Sequence, residues 1–128
     1  MELQEFEEYV KQAVEKVPLE LRKKIENLAF VVEEDVRNAQ SNEKYIKSGR
    51  ILLGLYQGVP LTKRSGYYSG VLPDKITIFK RSIELIAGAD ETKVKRLIFS
   101  VVHHEIGHYF GMDEASVRNW EKKRKLKQ

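Results

Sequence analysis

Cysteine is absent from this chain of 128 residues, and long apolar runs are absent as well. Without thiols the chain can form neither a disulfide nor a thiolate metal site, so its composition requires no oxidising compartment. No stretch approaches the roughly 18 apolar residues that cross a membrane. The acidic, amphipathic start of the sequence lacks the basic and then apolar pattern of a signal peptide. We therefore expect one cytoplasmic domain over residues 1–128 that does not enter a membrane.

Histidine is scarce, and its few copies are clustered. The chain has three histidines, at positions 103, 104 and 108. Histidine is the side chain best suited to hold a transition metal at neutral pH. Its confinement to this short stretch therefore indicates metal chemistry more than packing. His103 falls off the helix face that the other two share, and we expect a structural role for it.

His104 and His108 are the ends of a His-Glu-x-x-His pattern. On a helix, positions four apart project from one face about 6 Å apart, so both imidazoles can reach one Zn²⁺ at roughly 2.0–2.1 Å. Glu105 lies about 100° round the helix, where its carboxylate can contact a water on the metal without binding the metal itself. The pattern predicts zinc on His104 and His108, with Glu105 as the base that takes a proton from that water.

The residues after the motif offer a third ligand, which a catalytic zinc usually has. Gly111 is a residue type that ends helices in the left-handed conformation, so it can turn the chain back toward the metal. Asp113 and Glu114 follow directly. The extended motif places the third ligand at Glu114, and we expect Asp113 to accept a hydrogen bond from an imidazole N–H. The reverse assignment, with Asp113 on the metal, stays open.

Hydrophobic periodicity predicts an α+β fold with N-terminal helices, a small mixed β-sheet and a long metal-binding helix packed beneath the sheet. Apolar residues at helical spacing mark the helices, and β-branched runs mark the strands. Asp90 is a suitable N-cap for the long helix, and Val117 and Trp120 are the expected inward anchors of the last one. The predicted helices cover residues 2–17, 19–27, 81–87, the segment from Asp90 to the motif, and 115–125, and the predicted strands cover 29–32, 51–56 and 75–79.

Two further hypotheses concern the substrate. Residues 49–73 are rich in glycine and proline, which predicts loops that pass near the active site. Tyr67 and Tyr68 in this segment are candidate donors to the oxyanion of a tetrahedral intermediate; the alternative is that they are loop aromatics covering the edge of the core. The strand at 75–79 is either the one that pairs with extended substrate or an interior strand.

The chain carries a formal charge of +4, and the excess comes from the tail that begins at Arg118. Such a tail can bind nucleic acid or acidic partners. Basic residues also suit the C-terminus of a helix, and no base-stacking aromatic motif accompanies them here. We therefore expect no nucleic-acid partner.

The sequence around the motif resembles the minimal zincin-like metallopeptidase family of small prokaryotic proteins, in the run LPDKITIFKRSIELIAG followed by VVHHEIGHYFGMDE. The resemblance continues upstream through LLGLYQGVPLTKR and FEEYVKQAVEKVPLELRKKIENLAFVVEE, and so covers nearly the whole chain. It implies a zincin-like fold and a zinc-dependent peptidase that acts on peptides or proteins. One difference is that the family pattern usually has aspartate where Glu114 stands.

Two functional hypotheses follow. The first is a zinc metallopeptidase in which His104, His108 and Glu114 hold the metal and Glu105 is the general base. The second is a metal-dependent binding or regulatory protein that keeps the zincin scaffold without turnover. Glu105 discriminates between them, because a pure metal-binding module gains nothing from a glutamate beside the metal. A non-haem iron site also uses two histidines and a carboxylate, but it does not require Glu105. We therefore favour the zinc hydrolase.

Overall fold

The computed structural model describes residues 1–36, 51–60 and 73–127, and it describes only the backbone of Glu114, Glu121 and residues 124–127. Tyr67 and Tyr68, the candidate oxyanion donors, lie outside the described residues. The described part of the chain forms helices α1 (Leu3–Glu15), α2 (Leu19–Arg22), α3 (Lys80–Ala87), α4 (Glu91–Tyr109) and α5 (Glu114–Lys127), and strands β1 (Leu28–Glu33), β2 (Gly54–Gln57) and β3 (Asp74–Phe79).

Strand β3 lies at the centre of the sheet that the described residues form. It pairs in parallel with β1 and antiparallel with β2, where Tyr56 lies opposite Ile76. Every residue of β3 except Lys75 is buried, as is usual for a strand covered on both faces. The strand predicted at 75–79 is therefore an interior strand. Among the described strands, β2 is the antiparallel edge.

Helix α4 is the centre of the hydrophobic core. One face of it packs against α1, whose predicted apolar stripe is buried at Phe6, Val10 and Ala13. Strands β2 and β3 cover another part of α4. These contacts hold α4 firmly, so the side chains on its C-terminal half are presented at defined positions. The buried cluster includes Ile76, Ile78, Ile83, Val94, Ile98, Val101, Val102 and Ile106.

The second helix is shorter than predicted. Helix α2 ends at Arg22, so the prediction of a helix as far as residue 27 was wrong. The Tyr109 hydroxyl accepts from the Glu26 N–H and donates to the Glu26 carbonyl, each at 2.8 Å. Asn27 then takes a positive φ of 52°, and its carbonyl accepts from the Asp74 N–H at 2.9 Å. These contacts with α4 and β3 occupy backbone groups that a longer helix would need.

The N-terminus of α4 has the predicted cap. The Asp90 side chain accepts from the backbone N–H groups of Thr92 at 3.0 Å and Lys93 at 3.4 Å. These two bonds satisfy donors that the start of a helix leaves without partners inside the helix. Glu91 in the first turn also suits the positive end of the helix dipole.

The fold class is α+β, as predicted: the described residues form helices and a small mixed sheet of three strands. The long helix passes beneath β2 and β3. In the described ranges, no helix is both long enough and apolar enough to cross a membrane.

Candidate metal centre

His104 and His108 lie side by side on the last turns of α4. Their Nε2 atoms are 3.2 Å apart. Their ring centroids are 4.8 Å apart, with the ring planes at 78°. Both residues are half-buried, so the pair remains accessible to a small ligand. The structure therefore places the two predicted ligands on one helix face, within reach of a common ion.

The ring of His108 is fixed by the backbone. Its Nδ1 lies 3.0 Å from the carbonyl oxygen of Met112. Because a carbonyl oxygen can only accept, Nδ1 carries the hydrogen and donates, which leaves the Nε2 lone pair for a metal. Asp113 was expected to accept the N–H of one of the two imidazole rings. For the Nδ1–H of His108 the acceptor is the Met112 carbonyl.

The turn after α4 brings the Met112 carbonyl into place. Gly111 has a φ of 87°, which confirms the left-handed helix end predicted from its residue type. The Gly111 N–H donates to the His108 carbonyl at 2.9 Å, and the Met112 N–H donates to the Gly107 carbonyl at 3.0 Å. These two bonds are the pair that defines a Schellman motif. The chain reverses sharply here, and the reversal puts Met112 next to the His108 ring.

Asp113 caps the next helix. Its Oδ1 accepts from the Ser116 N–H at 2.8 Å, and its carbonyl accepts from the Val117 N–H at 2.9 Å. Hydrogen bonding from Ser116 favours the charged form and holds the pKa of the Asp113 carboxyl below its usual range. Glu114, the predicted third ligand, is the first residue of α5. Its side chain lies outside the described part of the structure, so its place on the metal stays a prediction.

Glu105 faces strand β2 and is half-buried. Its Oε1 accepts from the Tyr56 N–H at 3.0 Å. The candidate ligand atoms of His104, Glu105 and His108 all lie within 4.8 Å of one another. The structure thus brings together the three residues that the motif selected, with the carboxylate beside the imidazole pair.

The donor set suits zinc. Two nitrogen ligands at about 2.0–2.1 Å in a tetrahedral arrangement are roughly 3.3 Å apart. The 3.2 Å between the two Nε2 atoms is close to that separation. Neutral imidazole nitrogens, together with a carboxylate that can act as base, form the combination found in catalytic zinc sites. The residues present therefore fit the ion that the sequence predicts.

His103 lies in the core, apart from the other two histidines. It is 1% exposed, and its Nε2 donates to the Ala13 carbonyl at 2.8 Å. Its ring stacks on Phe99, with centroids 4.0 Å apart, and on Trp120, with centroids 5.8 Å apart. These contacts agree with the structural role expected for His103, because they connect α4 to both α1 and α5.

Strand β2 contributes two residues that the motif did not select. Gly54 and Tyr56 are two positions apart and therefore share one face of the strand, which turns toward α4. The Tyr56 ring meets the Tyr109 ring edge to face, with centroids 6.0 Å apart. The Tyr56 hydroxyl donates to the buried Asp74 Oδ2 at 2.6 Å. Their spacing in the sequence indicated that they share one face of a strand. It gave no sign of a role at the site, because glycine and tyrosine match no metal-ligand pattern.

A family model described as zincin-like metallopeptidase matches residues 25–124. The chain belongs to this family. The matched span includes β1, β2, β3, α3, α4 and most of α5, and it leaves out α1 and α2. A comparison with curated proteins gave no match. Membership makes this a zincin-like protein of metallopeptidase type, and zinc is the metal typical of the family.

Proposed function

We propose that this zincin-like protein hydrolyses peptide bonds with a zinc ion held by His104, His108 and Glu114, and with Glu105 as the general base. The observation that carries the proposal is the convergence of two imidazole nitrogens and one carboxylate within 4.8 Å on consecutive turns of one helix. Hydrolysis needs a base at this position, and the Glu105 carboxylate can serve as one.

The chain's own residues have distinct tasks in this reaction. Zinc, when bound, acidifies water and polarises the carbonyl group under attack. His104 and His108 would hold the ion through their Nε2 lone pairs, and the Met112 carbonyl keeps the His108 ring in the orientation and tautomer that this requires. Glu105 accepts the proton of the attacking water as the C–O bond forms. It then delivers that proton to the departing nitrogen as the C–N bond breaks.

The position of β2 favours an extended substrate. Among the described strands it is an edge, and an edge strand offers backbone N–H and C=O groups to a peptide that lies along it. Tyr56 on this strand is in direct contact with Glu105. Glu105 already accepts the Tyr56 N–H, so a peptide that pairs with the other outward-facing backbone groups of β2 would pass beside the proposed base. Peptides and flexible chain termini fit such a surface.

We also propose that residues 1–128 form a single domain. Helix α1 precedes the span that the family model matches. It nevertheless buries Phe6, Val10 and Ala13 in the same core as α4, and its Ala13 carbonyl holds His103. A helix with these contacts belongs to the unit that carries the site.

One contact favours a second candidate function, a zinc-dependent binding protein without turnover. Glu105 accepts a backbone hydrogen bond at 3.0 Å, and such a bond would give the glutamate a structural reason to be present. The two candidates differ in what Glu105 must do. A base has to exchange protons with water, whereas a structural acceptor only has to hold the strand.

A comparison of Glu105→Gln with the wild type tests the proposal. Glutamine is nearly isosteric and can still accept the Tyr56 N–H, so fold and zinc content should be preserved. Hydrolysis should fall about 10²–10⁴-fold, because glutamine cannot take the water's proton. The assay is a mixed peptide library with mass-spectrometric detection on zinc-loaded protein. Unchanged hydrolysis in Glu105→Gln would rule out this base, and no cleavage by the zinc-loaded wild type would favour the binding protein.

A further inference from the structure

Strand β2 approaches α4 more closely than a strand with an ordinary side chain could. A Cβ built on Gly54 would lie 2.6 Å from Val101 Cγ1, 3.3 Å from the Thr77 carbonyl oxygen and 3.4 Å from Glu105 Cγ. The first of these separations is shorter than the non-bonded contacts that Cβ atoms make in proteins. Gly54 has no positive φ, so it is space, and not backbone conformation, that requires a glycine here.

This close approach allows a backbone group of β2 to reach Glu105. The Leu53 carbonyl accepts from the Phe79 N–H at 3.0 Å, so odd-numbered residues of this stretch direct their backbone groups toward β3. Alternation along the strand then turns the backbone groups of Tyr56 away from β3. The Tyr56 N–H accordingly donates to Glu105 Oε1 at 3.0 Å. The protection of this N–H against hydrogen exchange is therefore expected to depend on Glu105.

The side chain of Tyr56 also anchors β2 to its neighbours. The Tyr56 hydroxyl donates to Asp74 Oδ2 at 2.6 Å, and Asp74 is 2% exposed. The Tyr56 ring packs edge to face on Tyr109, the residue that follows His108. Gly54 allows β2 to approach the turn of α4 that carries Glu105, and the contacts of Tyr56 fix the distance between them.

We propose that β2 positions the general base, an inference that rests on the role proposed above for Glu105. The Tyr56 N–H fixes the direction of the Glu105 carboxylate, and Gly54 allows the strand to come close enough for this hydrogen bond. Gly54 and Tyr56 are positioning residues, because neither contacts the reacting atoms. This hydrogen bond restrains the rotation of the Glu105 carboxylate, so it favours one direction for the edge that accepts the proton. A misplacement of about 1 Å at such a group can cost about 100-fold in rate.

The first test adds a Cβ at position 54 and then removes the Val101 atom with which that Cβ would clash. Gly54→Ala should lower kcat about 10- to 100-fold on peptides that the wild type cleaves. Zinc affinity should stay nearly unchanged, because no metal ligand moves. Gly54→Ala combined with Val101→Ala removes the nearest clashing atom, and it should recover most of the lost kcat. Val101→Ala alone is the matched control and should remain close to the wild type. A double variant as slow as Gly54→Ala, with correct fold and full zinc, would overturn the proposal.

A second measurement does not require turnover. In zinc-loaded wild type, amide hydrogen exchange at Tyr56 should be slow, and in Glu105→Ala it should become at least about tenfold faster as the acceptor is lost. The Leu55 N–H, which faces β3, is the internal control and should keep its protection. Equal protection of Tyr56 in both proteins would overturn the inference. A wild type that cleaves no peptide while the Tyr56 amide still depends on Glu105 would instead overturn the proposed function, so the two failures are distinguishable.

Discussion

The three histidines differ in their partners, so the same substitution should have a different effect at each. His104→Ala or His108→Ala removes one of two nitrogens that lie 3.2 Å apart, and either should abolish stoichiometric zinc binding. Elemental analysis of the purified proteins measures this directly. One equivalent of zinc in either variant would show that the site is assigned incorrectly.

His103→Ala is the matched control for that experiment. It should retain zinc, because the His103 ring contacts Ala13, Phe99 and Trp120 and not the site. It should lose about 2–4 kcal/mol of unfolding free energy, since a buried hydrogen bond and the packing of a buried ring are both removed. Denaturant unfolding of both proteins gives this difference.

The third ligand can be identified from two neighbouring carboxylates. Asp113 is engaged at the start of α5, so Asp113→Ala should weaken zinc affinity by less than about tenfold. Glu114→Ala should weaken it considerably more, since it removes a proposed ligand. Competition with a chelator of known affinity ranks the two variants. The reverse order would move the ligand to Asp113.

At the scale of residues, the sequence predicts those parts of the site that are made by side-chain chemistry. His104, Glu105 and His108 were found because two imidazoles and an acid at this spacing have a specific use. The Met112 carbonyl and the Tyr56 N–H were not found, because every residue but proline carries both backbone groups and the side chain gives no sign of their use. The helix end at Gly111 was predictable. The carbonyl that this turn places beside His108 could be identified only from the three-dimensional structure.

At the scale of elements, the turn that ends α4 should matter for both stability and metal binding. Gly111 has a φ of 87°, and alanine in that region costs about 1–2 kcal/mol. In Gly111→Ala the strain should also displace the Met112 carbonyl from the His108 ring, and loss of such a ring partner typically lowers metal affinity about 10- to 100-fold. Unfolding and chelator competition on the same samples measure the two effects.

Gly88 offers a control that also has a positive φ but has no connection to the site. Its φ is 76°, and a Cβ added there would meet nothing within 4 Å. Gly88→Ala should therefore lose about 1–3 kcal/mol of stability while zinc affinity is unchanged. If both glycine variants bind zinc like the wild type, the turn after α4 does not orient His108.

The elements also differ in how far the sequence could define them. Helix α4 has a side-chain cap at Asp90, a long apolar face and a glycine at its end, and all three signals are local. The end of α2 was mispredicted because the Tyr109 hydroxyl, distant in sequence, takes both backbone groups of Glu26. Strand β2 was predicted to begin at residue 51, but it begins at Gly54. Glycine has a low strand propensity, and it is required at this position because β2 lies so close to α4.

At the scale of the whole molecule, zinc should stabilise the folded chain by mass action. A metal that binds the native state, and binds the unfolded state weakly, adds about 2.7 kcal/mol when its free concentration is 100 times its Kd. Thermal unfolding with zinc and with chelator should therefore differ clearly for the wild type. His108→Ala should show the same midpoint in both conditions, and a zinc-dependent midpoint in that variant would indicate binding elsewhere.

The stacking of Trp120 on His103 gives the protein an internal optical reporter. Trp120 is the single tryptophan of the chain, and its half-buried indole lies 5.8 Å from a ring that is itself 1% exposed. Separation of α5 from α4 would transfer this indole into water, and its emission would shift to longer wavelength. Because Glu114 begins the same helix, fluorescence can follow how firmly that end of the chain is docked as the metal is added or withdrawn, without any label.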